Sequence, residues 1–417
     1  MLSTIFIVDT KAQTFEYIYN TSVEAGLSSV VELDSSYIFV GWEGTAKTQI
    51  YPLAFEIDKN GFLKRARVNY SEPSYFNAGL HKNTVDLLLV QSKLAHIAPN
   101  EVIIKNVDKL LDTIGIPFVI SDTNMYSFSK TRMVSDSQMV ILGMEVSSSS
   151  PQAFALLYDI QNHSHRFFDV AGNSVPWDQA VDALLIGNKY YIFKSRQNST
   201  PSSCVTFTEI KRFNADLSHD TTVAICHSKS SGNSSSFYFN VSVQKISDSS
   251  FMMVARADEN RNSIKPQQIG HLLWDTNFTE LNVELYGRQN IFTIQAGKSI
   301  SKFQNNPNVY VGGTENYKVN PSGYDTVPGE YFLIKTDLNG DTLWTRYYSN
   351  NTYVLMSGVK ATSDGGALMY GTSYDHRTAN GFENDVWIVK VDSNGNYQNT
   401  TALEEQGAIP ANNFRFF

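Results

Sequence analysis

Cysteine is nearly absent from this chain, with only Cys204 and Cys226 in 417 residues, so no dense disulfide framework can hold it together. No run of Lys or Arg resembles a phosphate-binding footprint, and the formal net charge is −8 with the signs well mixed, which argues against a nucleic-acid partner. No apolar stretch approaches the roughly 20 residues that a membrane-spanning helix needs. Charged residues are few, at 18%, while 22 Tyr and 25 Phe are present. That balance favours half-buried strands over long solvated helices, because aromatic side chains fit a pleated surface. The expectation is an all-β protein.

The period decides the architecture. A turn signal recurs at Asp34, Asn83, Asp136, Asn188, Asp248, Asn306 and Asp364, each ahead of an apolar strand such as Tyr37 to Val40 or Met139 to Leu142. A second turn recurs at Asp58, Asp108, Asp159, Asn214, Asp275, Asp337 and Asp392, spaced by 50 to 62 residues, the range of propeller blades. Seven copies of each interleave, so the prediction is a seven-bladed β-propeller of four-stranded antiparallel blades. Asn-Gly accepts positive φ at both central positions of a tight hairpin, which suits Asn60-Gly61, Asn339-Gly340 and Asn394-Gly395. Degenerate copies such as Asn162-His163 need other turns.

The ends carry their own signal. Thr14-Phe15-Glu16-Tyr17-Ile18-Tyr19 has the aromatic pattern of the outer strand Leu343 to Tyr348 but precedes the first turn. It is expected to pair in the last blade and close the ring, with Tyr397 to Thr401 competing for that place. The domain then covers 14–403, leaving 404–417 as a tail or linker. Residues 1–13 read either as a signal-peptide remnant, with Leu2 to Val8 as its apolar part, or as an ordinary first segment. Cys204 and Cys226 flank one hairpin whose centre falls at Ala215, which would set them face to face with Cα atoms about 5 Å apart, within disulfide reach. Two free thiols are the alternative.

Phe332-Leu333-Ile334-Lys335-Thr336-Asp337-Leu338-Asn339-Gly340-Asp341-Thr342-Leu343-Trp344 and Thr362-Ser363-Asp364-Gly365-Gly366 resemble the repeats of secreted β-propellers common in Bacteroidetes. The match is sharp in blades six and seven and reduces to turn positions and strand rhythm in blades two to five. Such repeats often precede a type IX secretion sorting domain, and Asn413-Phe414-Arg415-Phe416-Phe417 looks like the lead-in to one. The resemblance implies a secreted or cell-surface location and no particular activity.

Chemistry is harder to find. Asp-x-Asn-Gly lacks the further oxygen ligands of a calcium loop and reads as a turn. In Asp337 to Trp344 the acid, glycine and tryptophan stand at the wrong offsets for a sialidase Asp box, and a similar spacing in quinoprotein propellers concerns packing. His163 and His165 lie beside a weak turn and read as solvated residues; no metal or cofactor is expected. No G-x-S-x-G, H-E-x-x-H or phosphate-cradling loop occurs. Glycosidase chemistry needs two facing carboxylates, for which Glu315, Asp325, Glu330, Asp375, Glu383 and Asp385 are candidates without geometry. The Asn-x-Ser/Thr sequons read as chance in an Asn- and Ser-rich bacterial chain.

Both sets of tight turns share one face, which offers a ligand little. On the other face the loops lengthen at Arg256 to Ile269, Thr314 to Glu330 and Thr372 to Asp385. Long loops on a rigid scaffold are where recognition usually resides. Arg256, Arg261, Tyr317, Tyr324, Tyr374, His376 and Arg377 are the expected contact residues there. The functional expectation is an exported, non-catalytic binding or scaffold module for a protein or glycan at the cell surface. A glycosidase-like propeller and a self-associating filament subunit are the alternatives.

Overall fold

The computed structural model describes residues 13–21, 23–44, 49–69, 73–81, 86–93, 101–121, 126–145, 152–170, 177–197, 206–225, 236–258, 268–287, 293–304, 306–316, 328–374 and 384–397. Every regular element among them is a β-strand.

Five sheets are separate and four-stranded, each antiparallel and in chain order. They are β2 (Glu24–Glu32), β3 (Ser36–Gly44), β4 (Ile50–Asp58) and β5 (Leu63–Val68); β6 (Ser74–His81), β7 (Leu87–Lys93), β8 (Glu101–Val107) and β9 (Phe118–Ser121); and β10 (Tyr126–Ser135), β11 (Gln138–Glu145), β12 (Gln152–Asp159) and β13 (Ser164–Phe167). The fourth is β14 (Trp177–Ile186), β15 (Lys189–Gln197), β16 (Thr206–Phe213) and β17 (His219–Ile225), and the fifth β18 (Ser236–Lys245), β19 (Ser250–Asp258), β20 (Gln268–Asp275) and β21 (Glu280–Tyr286). The sixth sheet has eight strands. It contains β22 (Thr293–Lys302), β23 (Val309–Glu315), β24 (Glu330–Thr336) and β25 (Thr342–Tyr348), then β26 (Tyr353–Ala361), β27 (Ala367–Tyr374), β28 (Asp385–Val391) and β1 (Phe15–Tyr19). A single parallel bridge, Lys298 to Gly358, joins its two antiparallel runs of four. β1 pairs with β28 from Phe15 opposite Lys390 to Tyr19 opposite Val386.

Pattern explains position. The middle strands read as near-continuous apolar runs, as in the fully buried centre of β12, because both faces are covered by other sheets. The fourth strands alternate or are polar throughout, as in the exposed β13 and β17. Apolar clusters lie between each sheet and the next, for example Ile38, Val40, Leu87 and Leu89 between the first two sheets. Another joins Phe15, Tyr370 and Ile388 to Phe39 and Phe55 of the first sheet. The first strands touch in the order β2, β6, β10, β14, β18, β22, β26, and β26 touches β2.

The turn chemistry differs from expectation. At Asp58 to Gly61, Asp337 to Gly340 and Asp392 to Gly395, only the glycine has positive φ, +94°, +91° and +79°, and its N–H bonds the carbonyl of the aspartate. The aspartate carboxylate accepts the N–H groups two and four residues on, as Asp337 does from Asn339 and Asp341 at 2.8 and 2.9 Å. A type I turn followed by one left-handed residue therefore replaces the expected two-residue hairpin. Leu111, Leu217 and Phe278 occupy the left-handed position in the second, fourth and fifth sheets, with the same backbone bond.

That geometry also moves the hairpin expected to carry the disulfide. Opposition of positions 204 and 226 would require Thr208 to face Thr222, but Thr208 faces Ile225. The loop Asn214 to Ser218, with Leu217 left-handed, displaces the centre toward the C-terminus. Cys204 and Cys226 themselves lie outside the described residues, as do Asn83 of the first turn series, residues 398–417 and residues 1–12.

Candidate functional site

All seven first strands break register with their neighbour at a similar height. The breaks fall between Leu27 and Ser29, Phe76 and Ala78, Phe128 and Lys130, Ala180 and Asp182, Tyr238 and Ser242, Gln295 and Ile300, and Met356 and Gly358. A bulge frees residues from the ladder and re-aims their side chains. Here it turns Lys130, Asp182 and Ser242, each directly after its bulge, toward one another. In β22 the bulge spans Ala296 to Ser299, and its freed backbone makes the bridge from Lys298 to β26.

Asp182 is the hub. Its carboxylate accepts from Lys130 Nζ at 2.6 Å, Arg132 at 3.0 Å, Ala183 N at 2.8 Å and Val243 N at 2.9 Å. Lys130 Nζ also donates to Ser242 Oγ at 3.1 Å, so three first strands are tied at one point. Burial alone would raise the Asp182 carboxyl, but Lys130 and Arg132 hold it below the ordinary aspartate value. Burial pulls the Lys130 ammonium downward against that attraction.

Above this hub opens a cavity of about 1300 Å³, whose lining includes Lys130, Arg132, Ser242, Lys298, Ser301 and Lys360. Among the described residues, the ammonium groups of Lys298 and Lys360 make no ion pair or hydrogen bond. Burial lowers the pKa of Lys360. It takes Lys298 down to about 7, with Lys130, Arg132 and Lys360 adding repulsion that the distant Asp182 offsets only in part. The mouth lies among the tight turns, at Asp34, Ser35, Lys109 and Asp136. Two carboxylates inside it are already engaged: Glu32 with Lys59 at 2.6 Å and Ser363, and Glu56 with Lys64 and Arg65 at 2.7 and 2.8 Å. Burial would raise Glu56, yet Lys64, Ser36 and Arg65 keep it below the ordinary value. The floor is thus cationic, and the acids near it are neutralised ion-pair members.

This cavity is on the face expected to offer a ligand little; of its lining, Asp34 and Asp136 were expected only as turn residues, and none of its cations was expected to bind. Of the expected rim residues, Arg256 lies near the end of β19 opposite Tyr238 and Ile269, and Tyr374 ends β27 opposite Tyr353; both are half-buried. Arg261, Tyr317, Tyr324, His376 and Arg377 lie outside the described residues. Among the candidate acids, Glu315 and Glu330 face each other across β23 and β24, and Asp385 accepts the Thr21 N–H at 3.2 Å; none of the three lines the cavity. Asp325, Asp375 and Glu383 are not among the described residues. His163 meets the Tyr158 hydroxyl at 2.8 Å. No group of three or more His, Cys, Asp and Glu residues suited to a metal occurs among the described residues, and no described helix is long and apolar enough to cross a membrane.

No family profile and no curated protein matches the chain. Solved structures match it in shape. The β-propeller domain of the Trilobed protease from Pyrococcus furiosus, which has an open velcro topology, gives a TM-score of 0.51 at 8% identity, covering 91% of this chain and 98% of that one. The polysaccharide lyase Uly1 gives 0.49 at 8%, covering 88% and 90%. An acylaminoacyl peptidase from Pyrococcus horikoshii gives 0.49 at 9%, covering 84% of this chain and 51% of the peptidase. The first of these establishes the fold as a β-propeller; identities this low carry no chemistry.

Proposed function

We propose that this chain is an exported, seven-bladed β-propeller that acts as a non-catalytic binding module, taking an acidic glycan into its central cavity from the tight-turn face. In this reading the eight-stranded sheet is two blades joined by one bridge, and β1 is the outer strand of the last. The cyclic order of contacts among first strands and the cluster joining Phe15 and Ile388 to Phe55 support seven blades and that closure. Export rests on the repeats of blades six and seven.

One observation carries the ligand class: four cationic side chains, Lys130, Arg132, Lys298 and Lys360, line the floor, and among the described residues the ammonium groups of the last two make no direct ion pair or hydrogen bond. Unpaired buried cations are costly, and an anion that brings its own charge relieves that cost. The volume exceeds that of an ordinary small-molecule pocket, which suits several linked sugar units. Engagement of Glu32 and Glu56 by lysine and arginine takes these two of the cavity's four acids out of glycosidic proton transfer, leaving Asp34 and Asp136 at the mouth.

Titration calorimetry at pH 6 with oligogalacturonate and with a neutral maltooligosaccharide tests the reading. Binding of the acidic chain alone, weakened about tenfold or more by Lys360→Met, is expected; equal binding of both, or of neither, removes it. Arg256 near the end of β19 and Tyr374 at the end of β27, with Arg261, Tyr317, Tyr324, His376 and Arg377 of the intervening and following sequence, are the residues proposed for a second contact with a protein or glycan at the cell surface. Joint replacement of Tyr317, Tyr374 and Arg377 by alanine is expected to reduce surface retention while leaving calorimetric binding in the cavity unchanged.

A further inference from the structure

Lys298 differs from the other cations of the cavity in its setting. It lies within the bulge of β22, outside the ladder, so its backbone bridges sideways to Gly358. Lys130 and Arg132 of β10 share the one carboxylate at the hub, Asp182 of β14, whose remaining bonds come from backbone N–H groups. Asp182 is the one negative group felt by Lys298, and it is already bonded to Lys130 and Arg132. The other charged neighbours of Lys298 are Lys130, Arg132 and, on β26, Lys360, all of like sign. Desolvation and the like charges bring the Lys298 amine down to about 7, so a large fraction of it is neutral at physiological pH, which is how a lysine becomes a nucleophile. Lys360 follows Gly358 by two residues, so the two lysine Cα atoms stand roughly 8 Å apart, one strand over and one pleat along. Both side chains line the same cavity.

We propose that Lys298 condenses with an anionic carbonyl compound, an aldehyde or 2-oxo acid, whose carboxylate is held by Lys360. The neutral amine attacks the carbonyl carbon, forming a C–N bond as the C–O π electrons move to oxygen, which takes a proton from solvent. The nitrogen of that adduct gives up one proton, returning the one taken from solvent, and the carbinolamine then loses its hydroxyl together with the remaining nitrogen proton as water, leaving an imine. One amine and one carbonyl give one imine and one water, and no oxidant or reductant is consumed. The inference rests on the anion-site reading for the role of Lys360, and on Lys298 alone for the covalent step.

The test uses the full chain with glyoxylate and sodium cyanoborohydride, which traps an imine as a stable secondary amine, followed by peptide mass mapping at pH 7.5. Lys298 is expected to be labelled at least tenfold faster than the exposed Lys109. Lys298→Arg is expected to remove that label, and Lys360→Met to slow labelling by glyoxylate severalfold more than labelling by neutral propionaldehyde. Labelling of Lys298 no faster than Lys109 in the wild-type protein overturns the proposal without requiring any variant to fold. Equal effects of Lys360→Met on both aldehydes overturn the role of Lys360. Binding of oligogalacturonate by calorimetry is read separately, so loss of the covalent step and loss of the anion site are distinguishable.

Discussion

Asp182 concentrates more of the interior's polar order than any other described side chain, because two cations and two backbone N–H groups converge on it at full burial. Asp182→Asn keeps the shape and removes the charge, leaving Lys130 and Arg132 uncompensated. A loss of about 3–5 kcal/mol is expected, measured as a shift in urea midpoint at constant slope. Lys298 has the opposite sign. Its folded pKa of about 7 lies below the ordinary lysine value of 10.5. Between those values the unfolded chain binds a proton that the folded chain does not, so its contribution to stability rises as pH increases from about 7 toward 10.5. Lys298→Met is therefore expected to raise the melting temperature at pH 6, with a gain that shrinks by pH 10. Wild-type affinity for an acidic oligosaccharide should fall from pH 6 to pH 8 as Lys298 loses its charge. None of this was legible beforehand. Ser129 to Arg132 is a short polar run in the sequence, and no spacing rule shows that a bulge between Phe128 and Lys130 turns Lys130 toward the central cavity.

The elements explain why the repeat fades in the middle of the sequence. At each left-handed turn position, the decisive neighbour belongs to an adjoining strand or sheet. An added Cβ would meet Phe15 Cβ at 2.8 Å from Gly61, His271 Cε1 at 3.1 Å from Gly340, and Arg346 Cγ at 2.8 Å from Gly395, so glycine is required where the neighbour is bulky. Where the neighbour leaves room, an apolar side chain fills it: Leu111 packs into the cluster between the first two sheets, and Phe278 lies 5.2 Å from the Arg212 guanidinium and 5.9 Å from the Tyr191 ring. A left-handed non-glycine residue costs about 1–2 kcal/mol, and burial of Leu or Phe returns about 1.5–3 kcal/mol. Turn spacing was accordingly readable in all copies and glycine in only some. Gly395→Ala is expected to cost about 1–2 kcal/mol, whereas Phe278→Gly, despite relieving strain, should lower stability by about 1 kcal/mol; thermal denaturation of the two variants checks both.

Across the whole molecule, apolar clusters lie between successive sheets, and the one that includes Phe15 depends on a strand from the far end of the chain. The aromatic pattern of Thr14 to Tyr19 announced a strand without a local partner, and its pairing with β28 supplies one. Trp387 is fully buried, and its Nε1 donates to Glu16 at 2.8 Å, so β1 is held by a side-chain bond as well as its ladder. Phe15→Ala is expected to cost about 3 kcal/mol or more. Deleting residues 1–19 should lower the melting temperature further and produce concentration-dependent light scattering, as the outer edge of β28 becomes available to other copies. The all-β class and the four-stranded antiparallel sheets in chain order followed from periodicity, because each such sheet is built from local hairpins. The central cavity did not, because turn length says nothing of what the first strands enclose. Pairing Phe15 with Lys390 also has a consequence during synthesis. At 5–20 residues per second, the N-terminal strand emerges from the ribosome roughly 20–70 s before its partner exists, so the nascent polypeptide must keep Phe15, Tyr17 and Tyr19 out of premature associations until β28 has been made.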